Sequence, residues 1–115
     1  MIDFEFKQHA IYLADLSPRF GTEPGKKRPV VIIQTDLLNS VHPSTVVCPI
    51  SSQVIKGVSI LRIHLNDPLN GLEKPSDILV DQIRAIDNQR FISLLGQLSP
   101  VQIKKLNRAL EVLLF

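Results

Sequence analysis

Three cations, Lys26, Lys27 and Arg28, stand side by side, with Arg19 upstream and a proline directly after them. A second polar group, Ser51-Ser52-Gln53, closes the apolar run VVCPI. Cations beside hydroxyls suit the breaking of a phosphodiester. That reaction needs stabilisation of the charge building on phosphorus and little covalent chemistry from the protein. Arginine can clamp two phosphate oxygens through a planar fork of N–H donors, whereas lysine offers a point charge. A Lys-Lys-Arg run taken alone is also what a solvated surface loop carries.

Other chemistries find little support. GTEPGKKRP lacks the spacing of a phosphate-binding P-loop, and no helix follows it. No Ser-His-Asp signature and no carboxylate pair at helical spacing stands out. His9, His42 and His64 lie in three separate contexts and, with the lone Cys48, offer no zinc-ligand spacing. Those separate contexts also speak against a two-histidine ribonuclease built on His9 with His42 or His64. No carboxylate set for magnesium appears either, so neither metal nor cofactor is expected. One cysteine excludes an intramolecular disulfide, and inside VVCPI it reads as a small buried hydrophobe.

The 115 residues allow one domain, spanning 1–115, and 44% hydrophobic against 21% charged residues supports a packed core. The apolar runs are far shorter than the roughly 20 residues of a membrane span. The N-terminal stretch carries acids where a signal peptide needs bases, so a cytoplasmic, mature protein is expected. A net charge of +2 does not by itself demand nucleic acid; the clustering of Lys26, Lys27 and Arg28 says more.

These groups must be positioned by short strands. AIYLAD (10–15) reads as an apolar strand, and SPRFGTEPGKKR as a long exposed loop. PVVIIQT (29–35) reads as a central strand buried on both faces, with Pro29 tolerated only at its start. A turn with a short helix is expected in DLLNSVHPS, followed by a strand at 45–50. SILRIHL (59–65) alternates, with Ile60, Arg62 and His64 on one side and Leu61, Ile63 and Leu65 on the other. NDPLNGLEKPSD reads as loop, ILVDQI (78–83) as strand, and FISLLGQL (91–98) as a strand or the approach to the last element.

That last element is a helix. Ser99 is its N-cap, Pro100 occupies the first turn, and Gln102 completes a capping box. Leu98 and Ile103 are placed as a hydrophobic staple. Ile103, Leu106, Leu110 and Leu113 then repeat at helical spacing. Many short strands followed by one amphipathic helix predict a small β-barrel with a helix packed on it. Leu113, Leu114 and Phe115 exceed what one helix face needs, so a second copy is expected to cover apolar surface.

Three blocks of sequence then point to a family. ADLSP with GTEPGKKRPVVII, CPISSQ, and DILVDQIRAIDNQR occur in order over roughly residues 11–90. Together they resemble the MazF/PemK toxins, whose blocks read G-[ST]-E-x-G-x-x-R-P, P-[IC]-T-[ST]-Q and L-x-[DE]-Q-[IV]-[RK]-[TS]-[IL]-D. The resemblance implies an SH3-like small barrel, mainly β with a C-terminal helix, that pairs as a homodimer. It implies a toxin of a type II toxin–antitoxin system, blocked by an antitoxin with an acidic C-terminal segment. The implied activity is sequence-specific, metal-independent cleavage of single-stranded RNA. The RNA's own 2′-OH attacks, leaving a 2′,3′-cyclic phosphate and a 5′-OH.

Carried over by position, the family's arginine falls on Arg28 and its catalytic threonine on Ser51, which keeps the hydroxyl and loses a methyl. With a pKa above 12, Arg28 is a poor general base, so its implied role is phosphorane stabilisation and proton donation to the leaving oxygen. Ser51 would hydrogen-bond the scissile phosphate; no group stands out as the base. Glu23, Lys26, Lys27, Ser52, Gln53, Arg62, Asp81 and Gln82 are the candidate RNA contacts, reading splayed base edges or phosphates. Each could equally serve loop or sheet-edge hydrogen bonding. Arg84 reads as structural, paired with Asp81 or Asp87. The family's usual Gly-Asp before the first strand is His9-Ala10 here, a departure at a structural turn. Two rival readings remain: a CcdB-like toxin that poisons gyrase by protein contact, and a catalytically inactive family member.

Overall fold

The computed structural model describes residues 7–17, 21–22, 26–57 and 59–115. Their regular structure is β1 (Ala10–Asp15), β2 (Lys27–Ile32), β3 (Ser44–Ser51), β4 (Arg62–Leu65), β5 (Ser76–Leu79), β6 (Arg84–Asp87), β7 (Phe91–Gln97) and α1 (Pro100–Leu114). Short 3-10 turns interrupt the second half at Pro68–Asn70, Val80–Gln82 and Asn88–Arg90. The strands run in the order β4-β5-β3-β2-β1-β7, with β6 as a second partner of β3.

β3 organises this sheet. Its first half, Ser44–Val47, pairs with β6, and its end, Ile50 and Ser51, pairs with β5. One strand serving two partners in succession bends the sheet, which is open and curled. A mainly β chain with a C-terminal helix is what the sequence predicts, and the curl provides its two apolar interiors. One gathers Ile11, Val31, Ile50, Ile63 and Ile78 beneath Leu106 and Ala109 of α1. The other, built from alternate residues of the same strands, holds Tyr12, Val30, Ile32, Val47 and Phe91. Tyr12 and Phe91 meet edge to face, with centroids 5.5 Å apart.

The helix begins as its capping signals require. Ser99 Oγ accepts from the Gln102 N–H at 3.3 Å, and Gln102 Oε1 accepts from the Ser99 N–H at 2.9 Å. Gln102 also bonds Asn70 in both directions, at 2.8 and 3.1 Å. This ties the helix start to the Pro68–Asn70 turn. Gly96 permits that contact, because a Cβ there would lie 2.5 Å from the Asn70 backbone.

Several boundaries differ from expectation. β2 starts at Lys27, so Lys27 and Arg28 belong to a strand rather than to the loop before it. Pro29 therefore sits inside β2. The Leu16 N–H donates to Lys26 O, and the register pairs Leu13 with Pro29 between bonded pairs. The missing proline N–H thus points away from β1, at a point where the pairing with β3 has not begun. The strand expected at 78–83 instead begins at Ser76 and breaks at Leu79 into the Val80–Gln82 turn, and β6 follows it. The short helix expected after β2 is a series of turns. Buried Gln34 and Asn39 bond each other there at 3.0 Å. His9, before β1, has φ +74, a conformation native to glycine. Its N–H reaches Ile32 O at 2.7 Å, and its carbonyl accepts from the Leu98 N–H at 3.0 Å.

Candidate functional site

A row of polar side chains crosses the sheet at the end of β3. Ser51 lies opposite Asp77 of β5, and Asp77 lies opposite His64 of β4. On the other side, β2 pairs with β3 through Val30–Pro49, Val31–Cys48 and Ile32–Val47. The ladder ends at Val30–Pro49, and Arg28 and Ser51 each lie two residues beyond that pair on their own strands. Paired residues of antiparallel strands share a face, as do residues two apart on one strand. Arg28, Ser51, Asp77 and His64 therefore share one face, while Ile50, Ile78 and Ile63 turn to the core beneath α1. Ser52 follows β3, exposed at the bend where the chain leaves the strand.

Asp77 holds this row together. It is fully buried, with 0% of its surface exposed. Its Oδ1 accepts from His64 Nδ1 at 2.5 Å, and its Oδ2 from Arg62 Nη1 at 3.2 Å and from the Ile55 N–H at 3.3 Å. A carboxylate oxygen only accepts, so the His64 ring donates from Nδ1. Arg62 Nη1 also donates to Gln53 O at 3.2 Å. Ser51 Oγ accepts from the Gln53 N–H at 3.1 Å, which turns the chain out of the strand. The segment after Ser51 is thus fixed at Gln53 and Ile55. Asp77 escaped sequence reasoning because it ends a stretch that reads as loop. The one signal was its place at the start of an apolar run.

The basic stretch is well formed where it is described. Lys26 is exposed at φ +64, and its carbonyl accepts from the Leu16 N–H at 2.9 Å. Lys27 is exposed opposite Asp15 of β1. Asp15 lies below its ordinary pKa, chiefly through the Ser17 N–H and side chain, with Lys27 and Arg90 adding their charge. Arg28 is half-buried, opposite Ala14. Glu23, expected to join the RNA contacts, lies outside the described residues.

Asp81 and Gln82 sit apart from the row, on the Val80–Gln82 turn. No hydrogen bond among the described residues links either to Arg28, Ser51 or Arg62. Asp81 instead lies near Cys48, whose thiol is pushed up to about 12 by burial and by that neighbouring charge. Such a thiol is inert, in line with its reading as a packing residue. Arg84 forms no ion pair with Asp81 or Asp87 among the described residues, so its expected structural pairing is not made. Arg62, expected to face phosphate, is partly committed to Asp77 and Gln53, with a quarter of its side chain exposed. No three of the described His, Cys, Asp and Glu residues come together as a metal-binding group. No helix of the described chain is long and apolar enough to cross a membrane.

Comparison with known proteins gives consistent matches. Residues 7–114 match the model of the PemK-like, MazF-like toxins of type II toxin–antitoxin systems. The chain is 36% identical over 106 residues to endoribonuclease EndoA of Bacillus subtilis, covering 92% of this chain and 91% of that one. It is 38% identical over 102 residues to endoribonuclease MazF of Staphylococcus saprophyticus, covering 89% and 85%. In three dimensions it resembles crystalline MazF of Deinococcus radiodurans, with a TM-score of 0.83 and 22% identity over 97% of this chain and 98% of that one. The last is a likeness of fold alone.

Proposed function

The chain belongs to the PemK-like, MazF-like toxins of type II toxin–antitoxin systems, and from that premise we propose that it cleaves single-stranded RNA endonucleolytically, without a metal ion. The observation that carries this reading is the β2–β3 register through Val30–Pro49, which supports Arg28 and Ser51 facing the same side of the sheet just beyond it. Arg28 spreads its donors over the phosphorane oxygens as charge develops and supplies a proton to the leaving 5′-oxygen. Ser51 hydrogen-bonds a non-bridging oxygen and holds the phosphate in line for attack by the neighbouring 2′-OH. The bond from 2′-oxygen to phosphorus forms as the bond to the 5′-oxygen breaks; the 2′ proton passes to solvent, which returns one to Arg28. The products are a 2′,3′-cyclic phosphate and a 5′-OH. Lys26, Lys27, Glu23, Ser52, Gln53, Arg62, Asp81 and Gln82 remain the candidate contacts to the rest of the strand. The two relatives from Bacillus and Staphylococcus are named endoribonucleases, which favours RNA cleavage over a toxin acting by protein contact alone.

The protein works in the cytoplasm as a homodimer, and a cognate antitoxin with an acidic segment blocks the face that carries Arg28 and Ser51. Support for the dimer comes from the exposed apolar end of α1, where Leu114 and Phe115 are 54% and 101% exposed. The test is incubation of purified protein with RNA in excess EDTA. Full cleavage is expected, with 5′ ends that accept label from polynucleotide kinase without prior phosphatase treatment. Cleavage that stops on chelation and returns with magnesium would overturn the mechanism. No cleavage under either condition would overturn the function.

A further inference from the structure

Beyond the polar row, the open edge of the sheet carries a second concentration of positive charge. A recess of about 280 Å³ lies where β4 meets α1, lined by Arg62, Ile63 and His64 from the strand and by Lys105 and Arg108 from the helix. β4 ends the strand order, so no further strand covers it among the described residues. Lys105 and Arg108 are three residues apart and share one helix face. Both are exposed, and neither has an ion-pair or hydrogen-bond partner among the described residues. Asp77 is already shared by the lining residues Arg62 and His64. Lys105 and Arg108 are held in no ion pair among the described residues, and the lining of the recess favours an anion.

We propose that this recess is a phosphate subsite of the RNA track, in which Lys105 and Arg108 of α1 bind a backbone phosphate farther along the strand than the one beside the cleaved bond. The proposal rests on the RNA-cleaving function above and adds a site to it. Continuity with the polar row favours RNA as the occupant. Arg62 and His64 line the recess and are bonded to Asp77, which lies directly opposite Ser51. Two strand spacings of roughly 4.8 Å separate Ser51 from His64, so the recess begins about 10 Å from the scissile position. An extended RNA strand running across the sheet from Arg28 toward β4 would bring a phosphate beyond the adjacent one there. The helix would then serve as more than a cover for the core, holding the strand on the side where the sheet ends.

The experiment measures binding of a mixed-sequence 2′-O-methyl RNA 15-mer, which lacks the attacking hydroxyl, as a function of salt. Lys105→Ala and Arg108→Ala should each weaken binding several-fold. Together they should flatten the plot of log K against log salt by about 0.7 for each phosphate no longer neutralised. Lys104→Ala removes the same charge from the same helix outside the recess, and it should bind like wild type. If all three variants weaken binding equally, the effect is general electrostatics and the subsite is refuted. If the recess variants bind RNA normally but lose binding of poly-glutamate, the occupant is an acidic polypeptide and the proposal falls. Wild type that cuts RNA alongside recess variants of unchanged affinity and slope would refute the subsite alone. Wild type that neither binds the 15-mer nor cuts RNA would refute both readings.

Discussion

Replacing Asp77 tests whether one buried carboxylate organises the site. Asp77→Ala removes three hydrogen bonds to a charged acceptor, from Arg62, His64 and the Ile55 N–H. Bonds of that kind contribute about 1.5–3 kcal/mol each when fully enclosed. The donors here are partly exposed, with 25% of the Arg62 side chain and 55% of the His64 side chain open to solvent, and they rehydrate once Asp77 is gone. Removing a desolvated charge also recovers part of its burial cost. The net loss is therefore about 3 kcal/mol, below the sum of the bonds. Asp77→Asn should cost only about 1 kcal/mol. Its oxygen can still accept from Arg62 and Ile55, and its NH₂ can donate to His64 once the imidazole shifts its proton to Nε2. Urea unfolding reads both changes as shifts in midpoint at constant slope, about 1–2 M for the alanine variant. Cleavage should fall with Asp77→Ala even where folding is complete, because Gln53 and Arg62 lose their tether. An alanine variant within about 0.5 kcal/mol of wild type, with unchanged cleavage, would refute Asp77 as the organising residue.

Other consequences follow from the same interactions. Arg28→Lys keeps a charge and loses the planar fork, so cleavage should drop severely while circular dichroism and the unfolding midpoint stay near wild type. Wild-type cleavage by that variant would reduce Arg28 to part of a basic surface. His9→Gly relieves a left-handed conformation and should stabilise the fold by up to about 1 kcal/mol in urea unfolding, whereas His9→Val should destabilise it. Acid should act in two stages. Burial outweighs the attraction of Asp36 and lowers the His9 pKa, so the unfolded chain takes up that proton first. Stability then falls as pH drops below the ordinary histidine value of 6.5. Asp15 and Asp36 are held below 3.8 by hydrogen bonds from Ser17 and from Gln8. Their contribution is complete above that value and disappears as pH falls through the lowered ones. Unfolding midpoints measured from neutral pH down into the carboxylate range should show both stages, the first absent in His9→Gly.

Local signals were the legible ones. The capping box at Ser99 and Gln102 fixed where α1 begins, because both partners lie within one turn. β-branched runs located the middles of β2 and β3, and the three sequence blocks pointed to Arg28 and Ser51. Their mutual position was not legible, since it depends on a register set by how Val30, Val31 and Ile32 meet β3. Asp77 was hidden for the same reason. Its partners His64 and Arg62 are 13 and 15 residues away, joined by pairing between strands. The break in β5 was obscured because Ile78, Leu79 and Val80 are all buried, so one apolar run spans the strand end and the turn that follows. The placement of Asp81 and Gln82 followed that break, because the turn carries them off the strand line.

The central claim is that Ser51, on the sheet face of Arg28, presents the hydroxyl that acts on the scissile phosphate, while its neighbour Ser52, past the strand end, does not. Single-turnover cleavage of one RNA by Ser51→Ala, Ser51→Thr and Ser52→Ala tests it most directly. Losing a hydrogen bond that strengthens in the transition state should slow Ser51→Ala on the order of 10²-fold or more. Ser51→Thr should remain active, since a β-branched residue keeps the hydroxyl and stiffens χ1, and Ser52→Ala should cost much less than Ser51→Ala. A mild Ser51→Ala beside a crippled Ser52→Ala would contradict the account, shifting the reactive position by one residue, past the strand end.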